Sequence, residues 1–349
     1  MKKINLLHLV TGLSVGGAER VVLDLTKNAD THQYNVSVVS LSKKVEMLEE
    51  FQANNIDIVA LEKDNSTQDF MQIISFLNSY IKEHNIEIIH AHMTHAMIVS
   101  SVIKMLNPKV KIVFTSHSIS FGSKLRERLI SLLKPFRDTD ILFSVEQLSS
   151  IYKKNYVIIP NGVDTSAYKR INTKYDTFTF LAVGRLEKVK NHIRLLECAK
   201  LLKKLDFQIL IAGEGEQREK LEMYIKDNNL KDYVTLLGLR SDIVDLMAQS
   251  HAFVMPSLWE GLPIVLLEAG ASKLPIISTP VGTIPSLIDE SNGYLVKEDN
   301  FCETMKFVFE NYNEAKIKSE KLQEKIIDKY SIQNITREHE NLYMRLINK

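Results

Sequence analysis

The stretch Pro256-Ser257-Leu258-Trp259-Glu260-Gly261-Leu262-Pro263-Ile264-Val265-Leu266-Leu267-Glu268 is the part of this chain best equipped for chemistry. A short apolar run, 252–255, leads into a Pro-Ser turn, and the turn leads into a helical pattern. Glu260 stands at the mouth of that helix. Glu268 follows eight residues later, a little over two helical turns. The spacing predicts two carboxylates on roughly one face, beside a helix N-terminus at the carboxyl end of a strand. Such a site holds hydroxyls and an anion together, and a nucleotide sugar presents both.

Other turns offer complementary groups. Gly184-Arg185-Leu186-Glu187-Lys188-Val189-Lys190-Asn191 follows an apolar run at 178–183 and precedes a helical pattern. The guanidinium fork of Arg185 and the ammonium of Lys190 suit a diphosphate. A solvated basic loop is the plainer alternative, and it fits Lys188 better than Arg185, which abuts a strand end. Gly12-Leu13-Ser14-Val15-Gly16-Gly17-Ala18-Glu19-Arg20 joins the first strand to a helix, where free amides attract phosphate. Its spacing is not Gly-x-Gly-x-x-Gly, and the second strand ends in Leu41-Ser42-Lys43-Lys44 with no acid, which disfavours a nicotinamide dinucleotide. A plain strand–helix turn is the alternative there. Gly213-Glu214-Gly215-Glu216 is another glycine turn at a strand end, of a kind that often only shapes a loop.

His117 follows the run 110–115. A lone histidine is more often structural than catalytic, but this one stands at the sheet edge where ligands bind. His90, His92 and His95 are not expected to turn three nitrogens to one face, so no metal site is read from them. Asp138-Thr139-Asp140 has the form of a metal-binding triplet but sits at the amino end of a strand, the wrong edge for ligands. Lys124, Arg126, Arg128, Lys134 and Arg137 punctuate an apolar helical pattern over 124–137. That surface suits anionic lipid and an ordinary solvated face equally.

The elements that must position these groups alternate from end to end. Apolar strand-like runs at 4–10, 34–41, 56–60, 86–91, 110–115 and 141–144 are separated by helical patterns. Near-continuous Val/Ile/Leu strands between helices predict an α/β fold with a parallel sheet covered on both faces. Ligands of such sheets bind at the carboxyl ends of the strands. The alternation pauses at Val157-Ile158-Ile159-Pro160-Asn161-Gly162-Val163-Asp164. A second series follows at 178–183, 208–212, 233–236, 252–255 and 275–278. The reading is two Rossmann-like halves, 1–162 and 163–330, facing a central cleft. An amphipathic helix over 331–349 follows, able to pack on either half.

Composition is ordinary for a soluble globular protein. A chain of 349 residues makes about two domains. The net charge of +1 implies no general attraction to nucleic acid. Cys198 and Cys302 show no partner spacing, so free thiols in a reducing compartment are expected. The N-terminal apolar run is broken by Asn5 and His8, unlike a signal peptide, and no apolar stretch reaches the roughly 18 residues that span a bilayer. A cytoplasmic protein is expected.

In order along the chain stand Gly-Gly-Ala-Glu-Arg at 16–20, His117, Ile-Pro-Asn-Gly-Val-Asp at 159–164, Gly-Arg-Leu at 184–186 with Lys190, Ala-Gly-Glu-Gly at 212–215, and Glu260-x7-Glu268. Together they resemble the family-4 retaining glycosyltransferases of GT-B fold, over nearly the whole chain. The wording from Trp259 to Pro263 is similar to the branch that builds bacterial surface polysaccharides. The resemblance implies roles at matched positions. Glu268 would bind ribose hydroxyls. Arg185 and Lys190 would bind the diphosphate with the amides of Gly16 and Gly17. Glu260, with Gly261, Leu262 and Ile264, would contact the donor sugar. Gly213 would border the donor, Leu239 and Arg240 the base, and His117 the sugar and the reacting region. The last helix would cross back onto the first domain.

It further implies a UDP-sugar donor and a saccharide acceptor, lipid-linked where the basic helix lies on the inner face of a membrane. It implies neither a cofactor nor a metal. Many relatives carry Phe-Gly where this chain has Leu262-Pro263. Proline has no N–H, so a hydrogen bond that this amide would give to a sugar hydroxyl is missing. A nucleotide-sugar epimerase and a catalytically silent sugar-nucleotide-binding partner are the competing readings; turnover of donor without acceptor separates the first from a transferase.

Overall fold

The computed structural model describes residues 2–64, 66–117, 124–144, 155–168 and 173–348. The chain forms two compact units, Met1–Gly162 with Ile332–Lys349, and Val163–Ser331.

Strands β1 (Ile4–Val10), β2 (Tyr34–Ser42), β3 (Asp57–Lys63), β4 (Ile88–His92), β5 (Lys111–Thr115), β6 (Thr139–Leu142) and β7 (Tyr156–Ile158) make the first unit's sheet. Their order is β3-β2-β1-β4-β5-β6-β7, with every pairing parallel. The second sheet holds β8 (Phe178–Val183), β9 (Phe207–Ala212), β10 (Val234–Gly238), β11 (Ala252–Met255), β12 (Ile276–Ser278) and β13 (Tyr294–Leu295). Its order is β10-β9-β8-β11-β12-β13, again parallel. The expected α/β architecture of two Rossmann-like sheets is therefore present. β7 and β13 are additions to the expected strands.

Strand side chains alternate between faces. In the first unit Leu7, Leu9, Ile89, Ala91, Ile112 and Phe114 point into one buried cluster, shared with the helices Thr67–Glu83 and Met93–Leu106. The opposite face is less uniform. Val10, Val38 and Phe51 pack there with Val22 of the helix Gly17–Lys27, but His8 and His90 are also buried, paired in register on β1 and β4. His92 is buried two residues on. His90 and His92 thus share a face, and His8 joins them from the neighbouring strand, so their nitrogens lie within 4.8 Å of one another. His95 is not part of that group. The helix Ile332–Ile347 adds buried His339 and Tyr343 to the same face; Tyr343 Oη bonds His90 Nδ1 at 2.7 Å.

The basic helical stretch is less basic on its surface than its composition implies. Arg137 is fully buried and pairs with Asp140, and Lys134 reaches the same carboxylate at 2.5 Å. Asp138 accepts from Lys104 and from the amide of Ile112. The Asp-x-Asp triplet and two of the five cations are consumed in holding β6. Arg128 stays exposed; the side chains of Lys124 and Arg126 lie outside the described residues.

The expectation of free thiols is overturned. Cys198, on the helix Ile193–Leu202, and Cys302, on the helix Phe301–Glu310, form a disulfide inside the second unit's core. Their separation of 104 residues hides the pairing from any local spacing rule. Thiol titration of the denatured, unreduced protein should find no free cysteine. Reduction should lower the second unit's stability by roughly 2–4 kcal/mol in a urea melt.

Burial also sets the response to acid. It lowers the pKa of His8 to about 3 and of His339 to about 4, and it holds His90 and His92 well below the ordinary histidine range. These groups bind protons in the unfolded chain but not in the folded one. Their contribution is therefore present at neutral pH and lost as pH falls below about 6.5. Urea midpoints measured from neutral pH down to about 4.5 should fall continuously, and replacing His339 with Phe should flatten that slope.

Candidate functional site

In the second unit the candidate residues stand on loops at the carboxyl ends of neighbouring strands. The loop after β8 leaves the sheet at Gly184 and carries Arg185. Arg185 is 71% exposed and pairs with Glu187 at 2.6 Å. Leu186 is fully buried and anchors the loop. Lys190 ends a single helical turn, Lys188–Lys190, and its stem folds back along Gly184. Its Nζ lies 2.7 Å from Glu260 Oε1, and Ser257 Oγ donates to the same oxygen at 2.7 Å. Lys190 and Glu260 are thus brought together across 70 residues.

Further contacts tie the loops after β8 and β11. Leu258 N donates to Val189 O at 2.8 Å, and Asn191 Nδ2 to Pro256 O at 3.2 Å. Asn191 holds a left-handed turn, φ 54°, a conformation asparagine tolerates. Buried His192 follows, its pKa lowered to about 4 by burial and by Lys190.

Neighbouring loops close around these two. After β12, Thr279 Oγ1 donates to Ser257 O, and the amide and hydroxyl of Thr283 donate to Gly261 O. Gly282, at φ 58°, lies under the turn; a Cβ there would stand 2.0 Å from Glu260 O. After β9, Gly213 presses on the Arg185 loop so closely that a Cβ would meet Gly184 O at 2.0 Å. The glycine turn there does shape a loop, and the loop it shapes is the one that carries Arg185. Gly213 N also donates to Gly238 O at the end of β10. Leu239, next along, is 74% exposed, and Arg240 pairs with Asp242.

The two glutamates do not share a helix face as expected. The helix spans Ile264–Ala271, with Pro263 at its N-cap. Glu260 therefore stands in the turn before it, buried, and only Glu268 is helical and half-buried. Leu262 is buried between them, and Gly261 and Ile264 are half-buried. Sequence reasoning named Ser257 and Asn191 within their stretches without giving them a role, and passed over Thr279 and Thr283. All are polar residues on the connections that leave the carboxyl ends of strands, a signal that was available.

In the first unit the Gly16-Gly17 turn follows β1, and Gly16 caps the helix in extended conformation. Buried Glu19 lies against it: a Cβ on Gly16 would stand 2.7 Å from Glu19 Oε2, and Ser14 Oγ donates to Glu19 Oε1 at 2.8 Å. A carboxylate thus already stands at this helix start. His117 follows β5 on the same sheet edge. Its Nε2 lies 3.0 Å from His92 Nδ1, it packs on Phe143, and burial lowers its pKa to about 3, with His339 contributing.

These residues can do specific chemistry. The second unit presents Lys190, Arg185 and buried Glu260 beside strand ends stabilised by interlocked loops, which suits a ligand carrying both phosphate and hydroxyl groups. The first unit presents a neutral imidazole. Among the described residues no helix is long and apolar enough to cross a membrane.

Comparisons with known proteins agree with this layout. The chain is similar to the UDP-Gal:alpha-D-GlcNAc-diphosphoundecaprenol alpha-1,3-galactosyltransferase of Escherichia coli, at 26% identity over 99% of this chain and 98% of the relative. It is 28% identical to the N-acetylgalactosamine-N,N'-diacetylbacillosaminyl-diphospho-undecaprenol 4-alpha-N-acetylgalactosaminyltransferase of Campylobacter jejuni, over 86% of this chain and 87% of that one. In fold it matches the crystal structure of Anabaena Alr3699/HepE in complex with UDP, with a TM-score of 0.86 at 16% identity, over 98% of this chain and 100% of that one. The model of Glycosyltransferase Family 4 matches residues 15–167, and that of Glycosyl transferases group 1 matches residues 164–327. Taken together the two models span both units, and the chain belongs to the family-4 glycosyltransferases of GT-B fold.

Proposed function

We propose that this glycosyltransferase moves a sugar from a UDP-sugar to a lipid-linked saccharide, with the anomeric configuration retained and without a metal, in the assembly of a bacterial surface polysaccharide. Support for the acceptor comes from the Escherichia coli and Campylobacter jejuni relatives, whose names specify undecaprenol-linked saccharides. Support for the donor comes from the UDP complex of the Anabaena neighbour. The observation that carries the reading is the Lys190–Glu260 contact, with Arg185 on the same loop as Lys190.

The chemistry follows from charge. Transfer expels a diphosphate while positive charge grows on the sugar carbon. Cations fixed beforehand stabilise that leaving group without reorganising at the moment of reaction. Lys190 is such a cation, because Glu260 holds it in place before any donor arrives. Among the described residues the ion pair of Arg185 is an exposed one with Glu187, which is worth little, so its guanidinium exchanges readily to a phosphate. Glu260 then serves twice, orienting Lys190 and offering its carboxylate to sugar hydroxyls. Glu268 binds ribose, Leu239 and Arg240 border the base, and Gly16 and Gly17 add amides. His117 meets the sugar. Two cations on the phosphates would take the charge-stabilising part that a divalent metal could otherwise play. Peripheral contact with an anionic membrane, through Arg128 and its neighbours, would bring the protein to a lipid-linked acceptor.

Arg185→Ala and Lys190→Ala should each lower kcat/KM by about 10²–10³ while leaving the circular dichroism spectrum intact. Near-normal turnover in both variants would remove the diphosphate role. Chelator should leave the rate unchanged; complete inhibition relieved by added magnesium would overturn the metal-free reading.

A further inference from the structure

Three imidazoles cross the first sheet in one hydrogen-bonded row. His8 Nδ1 on β1 lies 2.9 Å from His92 Nε2 at the end of β4, and His92 Nδ1 lies 3.0 Å from His117 Nε2 beyond β5. His92 thus spends both ring nitrogens on its neighbours. We infer that His92 is a positioning residue: the row His8–His92–His117 fixes the ring orientation of His117 and ties its tautomer to those of His92 and His8, so that the state of the Nδ1 that meets the ligand is set by the whole row. This rests on the reading of His117 as a ligand-facing group.

The physical reason is proton counting. A neutral imidazole carries one N–H, and each N···N hydrogen bond contains one proton. Two such bonds in series leave only two arrangements for the whole row, all rings pointing one way or all the other. A proton arriving on any ring would break the pattern, and burial keeps these rings neutral. Among the described residues no charged side chain hydrogen-bonds to the row. The titratable neighbours that face it are His90 on β4, and His339, Glu340 and Tyr343 on the helix Ile332–Ile347, with Tyr34 on β2. His8, Thr336, His339 and Glu340 line a small cavity of about 10 Å³ at the inner end.

A metal is the competing occupant of this cluster, and the bonding argues against it. His90 uses Nε2 on Thr115 Oγ1 and Nδ1 on Tyr343 Oη, both at 2.7 Å. The nitrogens of His8 and His92 point at each other. Three ligands turned to one centre would need these bonds broken first.

The test is nitrogen NMR on the full-length protein labelled at histidine. Through-hydrogen-bond couplings should link His117 Nε2 to His92 Nδ1, and His92 Nε2 to His8 Nδ1. The three rings should carry the same tautomer, all Nε2–H or all Nδ1–H and in equal proportions, unchanged from neutral pH to about pH 5. Absent couplings, tautomers that differ between the three rings, or titration of His117 near its ordinary value of about 6.5 would overturn the inference. Stoichiometric binding of added Zn²⁺ with loss of the couplings would overturn it too. His92→Phe keeps the ring and removes both bonds. In that variant the tautomer of His117 should no longer match that of His8, and kcat for transfer should fall by up to about 10²-fold at little-changed donor KM. Unchanged kcat would overturn the positioning role. The wild-type spectra stand alone if the variant does not fold, or if no sugar is transferred, so failure of the row and failure of the transferase reading are told apart.

Discussion

One charge pair organises the second unit. Lys190 and Glu260 come from loops after different strands, and their contact fixes both loops in register with each other. The partners are largely withdrawn from water, with side-chain exposures of 20% and 9%. Screening by salt is weaker there than on the surface, so position is kept over a range of ionic strength. Ser257 loads the same carboxylate oxygen, and Thr279 in turn holds the carbonyl of Ser257. The result is a chain of contacts from β8 through β11 to β12. A cation delivered by such a chain owes its place to the fold and not to its ligand.

The two units solve the problem of placing polar groups at sheet edges differently. The second interlocks its loops by close backbone approach, with Gly213 and Gly282 where no side chain fits. The first buries polar rings within the sheet's own face and satisfies them with one another. Buried polar groups without partners are costly, and the histidines meet that cost through the His8–His92–His117 row and, at His90, through Thr115 and Tyr343. Each solution trades tolerance for definition: glycines that accept no larger residue, and rings whose bonding depends on their neighbours.

Much of this was legible from residue order. Parallel α/β sheets followed from the Val/Ile/Leu runs, and the strand-end placement of Arg185, Lys190, Gly213, Glu260 and His117 followed from where those runs stop. What escaped had physical causes. β7 and β13 are three and two residues long, too short for a periodic signal. The shared helix face for Glu260 and Glu268 ignored Pro263, whose fixed φ and missing N–H mark a helix boundary. Lys134 and Arg137 read as surface cations because Asp140, which draws both inward, lies on the next strand. The row of histidines needed the pairing of β1 with β4, which no local spacing encodes.

The helix Ile332–Ile347 belongs to the first unit although the whole second unit precedes it in the chain. It supplies Tyr343 and His339 to the buried face of that sheet. During synthesis domains usually close in the order in which they are made. Here that order is reversed: residues 163–331 are complete while the first sheet still lacks its cover. Until residue 347 leaves the ribosome, His90 waits without its tyrosine partner, and the nascent protein must keep that half-covered sheet from other chains.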